Sequence, residues 1–186
     1  MRATRVAAVL NALLAAQCIA AAPLSVIISK SSIRINDVEL RSGPQAGSGH
    51  YISLDAAAKV LGPPQDTYLA GLGVTVYAWP DPGIHVQRGF RGSDKGKIFK
   101  FQVWFQDTYS KNEDKHSGNF TGHVRIEGLD ITAGTTFDSV RGELKKAGFE
   151  ITEYPHVIQA KKGDISIFTV GTTNKIERVE VWCVKT

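Results

Sequence analysis

The sequence predicts an α+β fold made of a tandem repeat of two β-α-β-β-β units, each a helix packed on an antiparallel sheet. Three correspondences predict it. Ser32-Ile33-Arg34-Ile35-Asn36-Asp37-Val38-Glu39-Leu40 aligns with His123-Val124-Arg125-Ile126-Glu127-Gly128-Leu129-Asp130-Ile131, with an aliphatic residue or Arg shared at five of nine positions. Ser53-Leu54-Asp55 aligns with Thr136-Phe137-Asp138. The stretch Lys97-Ile98 through Val103-Trp104 aligns with Lys175-Ile176 through Val181-Trp182. The three matches come in one order. Their offset shrinks from 91 to 83 to 78 residues, as it would if the second copy had shorter loops.

Each element has a local reason. The first match of each copy is a strand, a turn at Asn36-Asp37 or Glu127-Gly128, and a second short apolar stretch. Ser53 and Thr136 are hydroxyl caps, and Asp55 and Asp138 suit the positive helix start. The first helix, Leu54 to Leu61, sets Leu54, Ala57, Ala58 and Leu61 on one face, and Gly62-Pro63-Pro64 stops it. The second sets Phe137, Val140, Leu144 and Ala147 on one face, and Gly148 ends it. Three strands are expected after each helix: about 73–79, 84–89 and 97–105, then about 150–160, 164–170 and 175–184. Turn residues separate them at Pro80-Asp81-Pro82-Gly83, at 92–96, at Lys161-Lys162-Gly163 and at 171–174. The polar stretch 107–119 has no periodicity and reads as a linker. The expected division is a signal segment at 1–22, a first unit at 23–106, the linker at 107–119 and a second unit at 120–186.

Residues 1–22 have a basic start (Arg2, Arg5), an apolar run from Val6 to about Ala16 and a small-residue end at Ala20–Ala22, which is the pattern of a secretory signal peptide. An exported, periplasmic or secreted protein is expected. Leu14-Ala15-Ala16-Gln17-Cys18 also resembles a bacterial lipobox, with Gln17 where that motif has a small residue. Lipid anchoring at Cys18 is therefore the alternative to plain cleavage. The run is too short and interrupted for a membrane span of ~20 residues, so no transmembrane span is expected.

Composition narrows the classes further. The 186 residues are 42% hydrophobic and 22% charged, which excludes wholesale disorder, collagen and a polytopic membrane protein. The formal charge is +4. Without residues 1–22 it falls to +2, with 20 basic against 18 acidic residues. That balance gives no case for nucleic acid, which calls for clustered Lys and Arg. Of two cysteines, Cys18 leaves with the signal, so Cys183 has no internal disulfide partner and reads as a buried thiol. No phosphate loop, nucleophile elbow or zinc or calcium motif is present. No cofactor, metal site or catalytic residue is expected.

The stretch Tyr77-Ala78-Trp79-Pro80-Asp81-Pro82-Gly83-Ile84-His85-Val86, following Leu61-Gly62-Pro63, resembles small bacterial exported domains of uncharacterised function. Those domains share a helix ending in Leu-Gly-Pro and a strand ending in Trp-Asp-x-x-Gly-Ile. Pro80 is an insertion relative to that pattern. The resemblance covers about residues 32–105, with a weaker echo in 123–184, and its motifs are structural. The tandem helix-on-sheet plan is also similar in architecture to secreted β-lactamase inhibitor proteins, by analogy of plan alone.

Strand alternation supplies the candidate site. Phe99, Phe101, Val103 and Phe105 share one face of their strand, and Lys100, Gln102 and Trp104 share the other. Val179, Val181 and Cys183 likewise oppose Arg178, Glu180 and Trp182. Ile84 and Val86 oppose His85 and Gln87. In 74–79, Val74, Val76 and Ala78 are expected inward, with Thr75, Tyr77 and Trp79 outward. The candidate binding residues are therefore Tyr77, Trp79, His85, Trp104 and Trp182 on an outer sheet face. Trp and Tyr among charged and amide groups suit a protein partner, such as another exported or envelope protein. The competing expectation is that these aromatics form a second core. A non-enzymatic protein-binding module is expected. The alternatives are a hydrolase-like enzyme pairing His85 with a carboxylate between the units, and a structural envelope protein.

Overall fold

The computed structural model describes residues 23–29, 32–42, 51–70, 73–89, 97–105, 119–170 and 174–183. The expected signal segment, Cys18 and nearly all of the expected linker lie outside them. In chain order the described elements are β1 (Ser25–Ile28), β2 (Ile33–Ile35), β3 (Val38–Glu39), β4 (Arg41–Ser42), β5 (Tyr51–Ile52), α1 (Leu54–Leu61), β6 (Asp66–Ala70), β7 (Val74–Trp79), β8 (Ile84–Arg88) and β9 (Ile98–Trp104). They continue as β10 (His123–Ile126), β11 (Leu129–Ile131), α2 (Phe137–Lys146), β12 (Glu150–Tyr154), β13 (Val157–Lys162), β14 (Ile165–Val170) and β15 (Ile176–Trp182). The chain is mixed α+β, with two helices and mostly antiparallel strands among the described residues.

Both helices start where hydroxyl caps are expected. Ser53 Oγ accepts the Ala56 N–H at 3.2 Å, and Thr136 Oγ1 accepts the Ser139 N–H at 3.3 Å. Each satisfies one donor that the first turn leaves open. Gly148, at φ +83°, ends α2, where the Phe149 N–H reaches the Leu144 carbonyl and the Gly148 N–H the Lys145 carbonyl. The core face of α2 is the expected one, with Phe137 and Leu144 buried and Val140 and Ala147 packed beside them. In α1, Ala57 is buried and Leu54, Ala56, Val60 and Leu61 pack against the core. Ala56 and Val60 thus take the place expected for Ala58.

The strands correct the expectation in three ways. Four strands follow each helix. The segment expected as one strand at 150–160 turns at Tyr154–Val157, where Pro155 cannot donate to a ladder, and forms the antiparallel pair β12–β13. The segment Asp66–Ala70 pairs with β7 as an additional strand. Second, the two four-strand sets do not form separate sheets. They join through antiparallel β9 and β15 into one eight-stranded sheet of order β12-β13-β14-β15-β9-β8-β7-β6. The pairing removes what would be an open edge from each set. Third, the unexpected strand β1 lies between β10, which it pairs in parallel, and β2 in a five-stranded sheet of order β11-β10-β1-β2-β3. One core lies between these layers. Val26, Ile28, Ile33, Ile35, Val124 and Ile126 of the smaller sheet join Ile84, Val86, Phe101, Val103, Val179 and Val181 of the larger one.

Candidate functional site at the seam of the eight-stranded sheet

Directly opposed residues on neighbouring strands share a face, so the register decides which side chains meet. On the face away from the main core, Gln87, Lys100 and Trp182 form one row across β8, β9 and β15. His85, Gln102, Glu180 and Ser166 form the next. Trp104, Arg178 and Phe168 form a third. Three expected site residues, His85, Trp104 and Trp182, are thus brought to this face.

Tyr77 and Trp79 are not. Trp79 stands opposite Ile84 and Tyr77 opposite Val86, so both point to the core side. Trp79 is 0% exposed, and Tyr77 is half-buried against the core. The expectation for β7 is inverted, and Val76 and Ala78 occupy the other face. The reason is visible at the end of α1. The Trp79 indole N–H donates to the Gly62 carbonyl at 3.0 Å, so the ring covers the helix terminus and gives its one donor a partner. The Leu61-Gly62-Pro63 and Trp79 portions of the sequence pattern therefore touch each other.

The seam is held by a shared carboxylate. Glu180 Oε1 accepts from Gln102 Nε2 at 2.8 Å and from Arg178 Nε at 2.8 Å, while Lys100 Nζ lies 3.6 Å from Glu180 Oε2. Gln87 Nε2 donates to Gln102 Oε1 at 3.0 Å and extends the chain of bonds. The cations also lie on rings. The Arg178 guanidinium is 4.9 Å from the Trp104 centroid and 4.5 Å from that of Phe168, and Lys100 Nζ is 4.1 Å from that of Trp182. Side-chain exposure is only 19% for Arg178 and 14% for Lys100, so these contacts are partly desolvated and correspondingly stronger. His85 is buried, with its ring centroid 5.9 Å from that of Trp104.

Glu177 lies beside this cluster, with Oε2 3.7 Å from Arg178. Burial pushes its carboxyl above the usual value, Arg178 opposes that shift, and Glu180 adds to it. A carboxyl raised on folding is protonated more readily folded than unfolded. Its contribution is fully present below the unfolded value and is lost as pH rises through the folded one. Glu177→Gln is expected to raise the melting temperature at pH 7 and to flatten the loss of stability that sets in as pH rises above the usual carboxylate range. Thermal scans across that range check it, and an unchanged slope would remove the burial effect.

Arg178, Glu180, Lys100 and Gln102 are legible as partners of the polar face from their alternation, but sequence does not single them out as a connected cluster. Phe168 was missed. Its signal is the alternation of Ile165-Ser166-Ile167-Phe168, which sets Ser166 and Phe168 together. Among the described residues, no group of three or more His, Cys, Asp or Glu side chains is placed to hold a metal ion. No described helix is long and apolar enough to cross a membrane. Comparison of the chain with protein-family models, with curated proteins and with solved structures gives no match.

Proposed function

We propose that this chain is an exported, non-enzymatic protein-binding module built by tandem duplication, and that the seam face of its larger sheet is the contact surface. The observation that carries the reading is the pairing of Trp104 with Arg178 and Trp182 with Lys100 on one face, around Glu180. Rigid aromatic rings and desolvated arginine are the side chains that most often dominate protein contacts. The bonded cluster holds them in fixed orientations, which lowers the ordering cost of association. Duplication draws support from element order: a hairpin, a helix and four strands occur in β2–β3, α1 and β6–β9, with the pair β4–β5 added before the helix, and again in β10–β11, α2 and β12–β15. Export rests on the character of residues 1–22, and kinship with small exported bacterial domains rests on the Leu-Gly-Pro and Trp pattern.

The test compares retention of exported proteins from the source cell by the folded chain and by two variants, Trp104→Ala and Trp182→Ala. Each is expected to lose a partner that the unaltered chain retains, with a drop of at least about tenfold in affinity. Lys145→Ala, on exposed helix surface, serves as the control. Equal retention by all four proteins, or a loss that follows reduced folding of the Trp variants, would sink the reading.

A further inference from the structure

We propose that the cavity beside the β13–β14 turn binds a small organic cation with an apolar body. The cavity has a volume of about 530 Å³ and, among the described residues, is lined by Ser29, Glu127, Lys162, Gly163, Asp164, Ile165 and Val181. That size falls within the range of small-molecule sites. It draws on both sheets. Ser29 follows β1 and Glu127 lies in the β10–β11 turn, while Ile165 and Val181 are neighbours in register on β14 and β15. Ile165 and Val181 are buried and present an apolar floor.

The rim decides the charge of the occupant. Lys162 Nζ is 3.0 Å from Glu127 Oε2, an ion pair that ties the two sheets together at the mouth. Glu127 is held there by a backbone at φ +51°, in the left-handed region that a non-glycine side chain rarely adopts. The Ser29 hydroxyl is already bonded within its own turn, accepting from the Ser32 N–H at 3.1 Å. Among the described lining residues, the lysine is the sole cation and is neutralised by Glu127. Asp164 is exposed and forms no ion pair among the described residues. Among the described residues the rim therefore carries one net negative charge above an apolar floor. An ammonium head would meet Asp164 there while its hydrocarbon body covers Ile165 and Val181. An anionic head would meet repulsion.

The test uses three probes of one shape: phenethylammonium, phenethyl alcohol and 3-phenylpropionate, titrated against the methyl resonances of Ile165 and Val181 in the full chain. Saturable shifts at those methyls are expected from the ammonium, with binding about fivefold weaker for the alcohol, the scale of one part-exposed charge contact. Asp164→Asn, an exposed substitution that leaves the core untouched, should bring the ammonium to the affinity of the alcohol. Equal binding of all three probes, preference for the carboxylate, or an unchanged ammonium affinity in Asp164→Asn would each overturn the charge assignment. Absence of saturable shifts at Ile165 and Val181 up to about 10 mM ammonium, a concentration that detects very weak binding, would overturn the site itself.

Discussion

Trp79→Ala is expected to cost about 3–5 kcal/mol of folding stability, the range for removing a fully buried large aromatic. The ring is 0% exposed, so its removal takes apolar surface out of the core and leaves a cavity there. The Gly62 carbonyl at the end of α1 would also lose the indole N–H that now bonds it at 3.0 Å. In a chain of this size each kcal/mol moves the melting temperature by about 2–4 °C, so a fall of about 6–20 °C is expected. Trp79→Phe separates the two effects. It keeps most of the apolar volume and removes the donor, for an expected cost of about 1–3 kcal/mol. Thermal and urea denaturation followed by circular dichroism check both. A melting temperature unchanged in Trp79→Ala would return Trp79 to the surface and with it the wider binding face.

Gly122→Ala is expected to destabilise by about 3 kcal/mol, at the upper end of ordinary overpacking. A Cβ at position 122 would lie 1.9 Å from the Leu24 carbonyl oxygen, 2.9 Å from its carbon and 2.7 Å from the Phe120 ring. The first two atoms are backbone and cannot swing aside. Leu24 O also accepts the His123 N–H at 3.0 Å, immediately before the parallel β1–β10 ladder begins. Relief of the clash would therefore move β1 away from β10 and open the middle of the five-stranded sheet. Gly134→Ala, where a Cβ meets nothing within 4 Å, is the matched control and should be near neutral. Urea unfolding checks the pair. Equal midpoints for the two variants would refute the close approach of Leu24 and Gly122.

Local chemistry made much of the fold legible. Ser53 and Thr136 cap helices because their oxygens reach N–H groups three residues on, and no distant residue takes part. Gly148 ends α2 for an equally local reason. Over residues 84–87, 100–105 and 178–183 apolar and polar residues alternate, so those buried faces follow from period two alone. At the start of β9 a register shift between Gln87 and Arg88 puts Ile98 in the core in the place expected for Phe99, whose ring centroid lies 5.9 Å from that of Trp182. That alternation also places His85, Trp104 and Trp182 beside Lys100, Gln102, Arg178 and Glu180.

Strand β7 shows where such reading fails. Val74-Thr75-Val76-Tyr77-Ala78-Trp79 carries an apolar or aromatic residue at nearly every position, so either phase satisfies the pattern. A slip of one residue exchanges the faces. The choice is made by pairing with β8, which sets Trp79 opposite Ile84, and by the Gly62 carbonyl awaiting a donor. Strand β1 carries little local signal for a different reason. Ser25–Ile28 has only four residues, three of them apolar, close after the apolar run of residues 6–16, and its neighbours in the sheet are β2 and the distant β10.

The helices with their caps, the strand stretches that alternate and the polar company kept by Trp104 and Trp182 are all written in the local sequence. Those depend on residues within a few positions of one another. That two four-strand sets share one sheet through β9 and β15, that Trp79 belongs to the core, and that Glu180 gathers Lys100, Gln102 and Arg178 into one cluster comes from long-range assembly. Each of these is a matter of which strand edges meet and in what register. That choice depends on the burial and hydrogen bonding of the whole assembled chain, with Gln102 and Glu180 meeting across 78 positions of sequence.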